Sequence, residues 1–234
     1  MSELLLVRHA QASFGTDNYD RLSELGHRQA RWLGEYFRFR GFTFDRVICG
    51  EMRRHRETAE GIFEGLGDAA QRLDTDACWN EFDFDRIVSA YLEQHPDDQP
   101  DPEAPAPDFA RILRSALNAW SEDRLTVALP ERWSEFEARV ERGLHATAAG
   151  SGEERRILLV SSGGPIAMAL RQVLQAPASA MVHMNLQLRN SSYSHLYFNA
   201  RAVHSAGHFV GHFAGFNHVP HLDHPERAGS VTHY

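Results

Sequence analysis

The sequence predicts an α/β fold built on a mainly parallel sheet, and three observations predict it. Leu4-Leu5-Leu6-Val7 is an unbroken apolar run with no polar alternation, the pattern of a strand buried on both faces. A second such run, Arg156-Ile157-Leu158-Leu159-Val160-Ser161, stands more than a hundred residues later and leads into a glycine turn and a helical pattern. Strand-like and helix-like segments alternate from the first run onward, the order of a parallel sheet with crossover helices.

The elements follow in order. Residues 11–21 are polar and read as a loop. Ser23 is a suitable N-cap, with Glu24 in the first turn. Leu25, Gln29, Trp32, Leu33, Tyr36 and Phe37 then recur at helical spacing until Gly41 ends the helix. Residues 44–49 form a short strand broken by Gly50. A second helix carries Met52, Ala59, Ile62, Phe63 and Leu66 on one face. A third strand is expected within 72–79. Residues 85–150 read as helix throughout except for 95–107, an acidic, proline-rich interruption expected to be neither helix nor strand. The reading is one domain, 1–234, with a helical cap inserted at about 85–150. Pro165, just inside a helix start, marks the helix after the 156–161 strand. Two last strands are expected within 192–198 and 202–210, followed by a loop-like tail.

Composition narrows the function classes. The chain has 234 residues and a formal net charge of −8, which argues against generic binding to nucleic acid or anionic membrane. A local cationic pocket for a small anion is compatible with that balance. Cys49 and Cys78 are too few for a disulfide framework, and no signal peptide or apolar run of membrane-spanning length is visible. The expected compartment is the cytoplasm.

Polar residues collect at the strand ends, where ligands meet a parallel sheet. The first strand ends in Arg8 and His9. The second opens into Glu51-Met52-Arg53-Arg54-His55-Arg56, the third approaches Glu81, and the 156–161 strand runs into Ser162-Gly163-Gly164. A histidine can attack phosphorus, arginines can neutralise the equatorial oxygens, and a carboxylic acid can protonate the leaving oxygen.

These segments together resemble the histidine phosphatase (phosphoglycerate mutase-like) superfamily over nearly the whole chain. LLLVRHAQASFG is similar to that family's Arg-His-Gly opening. Leu22-Ser23-Glu24-Leu25-Gly26-His27-Arg28-Gln29-Ala30 resembles its "Leu-Ser/Thr-x-x-Gly-x-x-Gln-Ala" helix start. GEMRRHRETAE resembles its "Ser-x-x-x-Arg-Ala-x-x-Thr-Ala" motif and, aligned on Thr58-Ala59, puts the phosphate-binding arginine on Arg54. WNEFDF puts the acid/base carboxylate on Glu81. The resemblance implies a three-layer αβα sandwich and a phosphomonoester hydrolase that works through a phosphohistidine on His9, without metal or other cofactor. Catalytic residues would be His9, Glu81, Arg8 and Arg54, and the phosphate site Arg8, Arg54, Ser162 and Gly163. The expected partner is a small phosphorylated substrate, with phosphate or sulfate as occupants of the site. Substrate identity and oligomeric state are not implied.

Departures from the family pattern qualify the rate. The family usually carries "Val-Ser-His-Gly-Gly" where this chain has Val160-Ser161-Ser162-Gly163-Gly164, so Ser162 replaces a second histidine. Ala10 replaces the turn glycine, and Asp85 stands where a glycine often follows the acid/base motif. Removing one preorganised donor costs about 10²–10³ in rate, which points to a weaker or more specialised phosphatase whose turnover Ser162→His should raise. A non-catalytic phosphate-binding module of the same fold is the competing reading; a phosphoglycerate mutase is the third.

Other signals have plainer readings. Cys49 precedes an arginine-rich stretch, but a cysteine phosphatase needs an arginine where His55 stands, so a small buried residue is expected. The histidines from His204 to His233 are interrupted by glycines and read as exposed or hydrogen-bonded rather than as a metal site, with Asn217 and His221-Leu222 resembling a structural C-terminal segment of the family. Arg53, Arg56 and Glu57 read as solvated helix surface.

Overall fold

A computed structural model describes residues 1–13, 20–68, 71–100, 106–149, 155–199 and 209–233. Its centre is a six-stranded sheet in the order β3-β2-β4-β1-β5-β6. The strands are β1 (Ser2–Arg8), β2 (Arg46–Cys49), β3 (Leu73–Thr75), β4 (Arg156–Ser161), β5 (Tyr193–Phe198) and β6 (Gly211–His218). The first four are mutually parallel, and β5 and β6 add an antiparallel edge beside β1.

The two apolar runs become the central pair. β1 and β4 are neighbours in register from Glu3 opposite Arg156 to Arg8 opposite Ser161. Alternate side chains of each feed opposite cores. Leu4, Leu6, Ile157 and Leu159 face one apolar cluster, and Leu5, Val7, Leu158 and Val160 face the other. All eight are fully buried, each contributing about 1.5–3 kcal/mol of transfer free energy. The sheet is covered on both faces, which is why these strands show no polar alternation.

On one face lie α1 (Glu24–Phe39) and α2 (Arg53–Leu66), through Leu33, Phe37, Ala59, Ile62 and Phe63. Ser23 caps α1 as expected, its side chain accepting from the Gly26 amide at 3.0 Å. Gly41 (φ +66°) and Gly67 (φ +76°) follow the two helices in the left-handed region that glycine adopts freely. On the other face are α3 (Phe84–Gln94), α4 (Ala106–Ser121), α5 (Trp133–Ala149), α6 (Gly163–Leu174) and α7 (Ala178–Gln187). They share one core with the sheet, centred on Trp79, Trp120, Phe136 and Phe82. The architecture is the expected three-layer sandwich.

Several boundaries differ from the sequence reading. The third strand shortens to Leu73–Thr75, and Ala77–Trp79 form a 3₁₀ turn capped by Asp76. Within 95–107, Pro96–Asp98 form another 3₁₀ turn, and α4 begins at Ala106, since a proline in a first helical turn gives up no intrahelical bond. Residues 122–132 are not helical; Asp123 takes φ +53° and ends α4. α7 has too weak an apolar periodicity to be read from sequence. A last strand, Gly211–His218, forms where the sequence reading expected a tail; of the strand expected at 202–210, residues 202–208 lie outside the described residues and 209–210 are not strand. Gly211–His218 is a glycine-containing edge strand with a bulged register against β5, and such strands carry little pattern. No helix of the described residues is long and apolar enough to cross a membrane.

Candidate active site

β1, β2 and β4 end side by side, and their continuations meet at one edge of the sheet. The His9 amide donates to the Ser161 carbonyl at 2.8 Å, and the Gly50 amide to the Val160 carbonyl at 3.1 Å. The turn between α7 and β5 closes the same edge: Ser191 N (3.2 Å) and Asn190 Nδ2 (3.3 Å) both donate to the His9 carbonyl. His9 therefore sits in a fixed backbone frame.

Its ring is nearly inaccessible, at 4% exposure. Nδ1 lies 2.8 Å from the Ala10 carbonyl. A carbonyl only accepts, so Nδ1 carries the proton and Nε2 presents its lone pair. Burial, then the charges of Arg54 and Arg8, hold His9 well below the usual histidine range. The imidazole is neutral, the form that can attack an electrophile. Ala10 is fully buried, and its amide donates to Thr58 Oγ1 at 3.1 Å; that hydroxyl donates to the Arg54 carbonyl at 2.7 Å. The Thr58 of the second motif thus ties the turn after β1 to the first turn of α2.

Arg54 is buried, with its guanidinium turned into the site. Nη1 pairs with Asp20 at 2.8 Å and Nη2 donates to Ser162 Oγ at 3.3 Å. Asp20 also accepts from the Arg53 amide at 3.0 Å and so caps α2, whose N-cap residue Met52 makes no side-chain cap. Arg8 is partly buried, and its Nη1 donates to the Leu188 carbonyl. The neighbouring Arg53 and Arg56 are exposed as expected, but Glu57 is mostly covered and accepts from the Leu22 amide at 2.7 Å. Holding that loop is a role a charged helix face does not reveal.

Glu81 reaches the site from the turn after β3. Its carboxylate accepts from the Gly164 amide at 3.2 Å and the Phe82 amide at 3.2 Å. Burial raises it above the usual carboxylate range, although Arg54, both amides and Arg8 pull the other way. The segment is held from two sides: Ser161 Oγ donates to the Trp79 carbonyl at 2.7 Å, and Arg139 of α5 donates to the Cys78 (2.9 Å) and Asn80 (2.8 Å) carbonyls. Ser162, fully buried, caps α6 by backbone position, so Gly163 and Gly164 bring a helix N-terminus to the pocket, where its amides favour an anion. The close approach needs glycine: a Cβ on Gly164 would stand 2.2 Å from Glu81 Oε1.

All the residues singled out from the sequence, Arg8, His9, Arg54, Glu81, Ser162 and Gly163, therefore lie at one sheet edge. Sequence reasoning missed Asp20 and Arg139, which are ordinary loop and helix charges until the fold pairs them. His55, beside Arg54 in the same stretch, is fully buried, its ring 5.8 Å from the His9 ring between centroids. Cys49 is buried and its thiol is pushed up to about 12 by burial, which removes it as a nucleophile. Asn217 joins the Arg189 amide (2.8 Å) to the Gln187 carbonyl (2.7 Å), and His221 is buried 2.8 Å from Ser191 Oγ; both are structural.

Comparison with known proteins bears on the family. The signature of the histidine phosphatase superfamily (branch 1) matches residues 4–208. An adenosylcobalamin/alpha-ribazole phosphatase of Salmonella typhi is 30% identical over 193 residues, 79% of this chain and 85% of that protein. A 2,3-bisphosphoglycerate-dependent phosphoglycerate mutase of Mesorhizobium japonicum is 29% identical over 87 residues, only 35% of this chain and 42% of that protein. The fold is shared with a mycobacterial glucosyl-3-phosphoglycerate phosphatase solved with inorganic phosphate, at TM-score 0.63 and 20% identity over 95% of this chain and 100% of the other. The ordered motifs, the strand-end geometry and the match over most of the length lead to one assignment: the chain belongs to the histidine phosphatase superfamily.

Proposed function

We propose that the protein hydrolyses a phosphomonoester through a phosphohistidine on His9. The observation that carries this reading is the neutral, backbone-oriented His9 set beside Arg54 and Arg8, with the raised carboxyl of Glu81 on the same edge. His9 Nε2 attacks phosphorus while Arg8, Arg54, Ser162 and the α6 N-terminus at Gly163 hold the phosphoryl oxygens. Glu81 gives its proton to the leaving alcohol and then takes one from the water that cleaves the phosphorus–nitrogen bond. The reaction needs no metal or cofactor, because the arginines supply the positive charge. The substrate is a small phosphorylated compound. The extent of sequence similarity favours a phosphatase over a mutase: the alpha-ribazole phosphatase aligns with 79% of this chain and the Mesorhizobium mutase with 35%. The helices within about 85–150 act as a cap that sets substrate choice. The free thiols of Cys49 and Cys78 fit a reducing, cytoplasmic setting.

Rapid mixing with phosphorus-labelled p-nitrophenyl phosphate, quenched in alkali because a phosphorus–nitrogen bond is lost in acid, tests the mechanism. Label is expected on the native chain and absent from His9→Ala, together with loss of turnover. Turnover that survives His9→Ala overturns it. Absence of both turnover and label, across sugar phosphates, nucleotides and phosphopeptides, favours a phosphate-binding module instead.

A further inference from the structure

His55 is the buried ionisable group that this mechanism leaves unused. It is fully buried in the first turn of α2, next to Arg54, and its Nε2 lies 2.7 Å from Ser162 Oγ. Its other nitrogen, Nδ1, has no hydrogen-bond partner among the described residues. The ring has room only because position 50 lacks a side chain: a Cβ on Gly50 would stand 2.3 Å from Nδ1 and 2.9 Å from Cε1.

The geometry points to a paired phosphoryl-binding device in which His55, acting as a positioning residue, donates from Nε2–H to Ser162 and thereby turns the Ser162 hydroxyl proton toward the phosphoryl group on His9. This rests on the phosphatase reading of the site. The tautomer follows from the unpartnered nitrogen. A buried N–H without an acceptor is rarer and costlier than an unfilled lone pair, so the proton sits on Nε2. Ser162 Oγ then accepts from two donors, His55 Nε2 and Arg54 Nη2. A hydroxyl has one proton, and both of its lone pairs are used. Among the described residues none accepts that proton, which leaves a phosphoryl oxygen bound at this sheet edge as its acceptor. Burial and the Arg54 charge keep His55 far below the usual histidine range, consistent with a neutral ring.

The pairing also gives one account of three departures from the family motifs. Set against "Ser-x-x-x-Arg-Ala", the chain has Gly50 for the serine and His55 for the alanine; set against "Ser-His-Gly-Gly", it has Ser162 for the histidine. The imidazole has moved from the start of α6 to the start of α2, the small side chain has moved the other way, and Gly50 makes the space. Ser162→His alone therefore crowds His55, and the gain expected from it requires His55→Ala as well.

Orthovanadate serves as the probe, because its binding reads the phosphoryl site without turnover. Ser162→Ala is expected to weaken it about 10²–10³-fold. His55→Phe, which keeps the ring's bulk without a donor, is expected to weaken it about 10-fold. The double variant should bind no more weakly than Ser162→Ala, because the two act as a unit. His55→Gln, which retains an N–H near the Nε2 position, should recover most of the loss. Gly50→Ala should weaken binding in the native background and cost little beside His55→Ala. Nitrogen NMR of the unmodified protein reads the tautomer directly and does not depend on any variant folding; a bare Nδ1 is expected. A protonated Nδ1, a natively folded His55→Phe with unchanged vanadate affinity, or independent multiplication of the two losses each overturns the pairing. If these patterns hold but His9 never takes label, the phosphatase reading fails and the pairing stands.

Discussion

Burial sets the protonation state of each working group. His9 is pressed toward neutrality and Glu81 toward its acid form. The acid limb of kcat/KM is accordingly expected well below the usual histidine range, where His9 takes up a proton, and the alkaline limb above the usual carboxylate range, where Glu81 loses one. Glu81→Gln should remove the alkaline limb. It should slow alkyl phosphates by about 10²–10⁴ and p-nitrophenyl phosphate far less, since nitrophenolate leaves without a proton. Equal losses on both substrates would assign Glu81 another role. His221 carries a second pH effect, on stability. Burial, helped by Arg227, depresses it from 6.5 to about 3. The unfolded chain binds a proton there below about pH 6.5 and the native chain does not. Stability is therefore full above that pH and falls by about 1.4 kcal/mol per unit as pH drops toward 3. Denaturant titrations of native protein and His221→Phe over that range should show a steeper decline in the native protein. The residue types of the site were legible in the sequence because nucleophile, arginines and carboxylate each lie in a motif. His55 was not, because only a contact between α2 and α6 distinguishes a buried donor from a surface histidine.

At the scale of elements, β1, α1, β2, α2 and β4 were readable because each has one strong periodicity and a clear stop. Their junctions were less so. The α1–α2 crossing is so close that a Cβ on Gly65 would meet the Arg31 carbonyl at 2.1 Å, and one on Gly34 the Ile62 carbonyl at 2.2 Å. Gly65→Ala is expected to push the helices apart and destabilise the fold by about 1–3 kcal/mol, against a gain of about 0.5–1 kcal/mol for the same change in an unencumbered helix. A thermal melt decides the sign. The absence of the Gly211–His218 strand and of α7 from the sequence reading has one cause: both segments take their structure from neighbours, β5 in one case and α4 and α6 in the other.

For the whole molecule, a chain of net charge −8 concentrates Arg8, Arg54 and a helix N-terminus at one sheet edge. Anion binding should couple to stability. Orthovanadate at about 100 times its Kd is expected to stabilise the native state by about 2.7 kcal/mol, a rise in melting temperature of about 2–4 °C per kcal/mol for a domain of this size. Arg54→Ala should abolish most of that rise, and an unchanged rise would place the anion elsewhere. The sequence by itself determined the fold class, the strand ends and the chemistry-bearing residues, because burial on two faces and motif spacing are local properties of the chain. Only the tertiary structure decided which partners those residues have. Asp20 on Arg54, Arg139 under the Glu81 turn, and His55 against Ser162 in the space left by Gly50 all join residues distant in sequence. Such pairings arise from strands and helices packed around a shared pocket, and no local pattern encodes them.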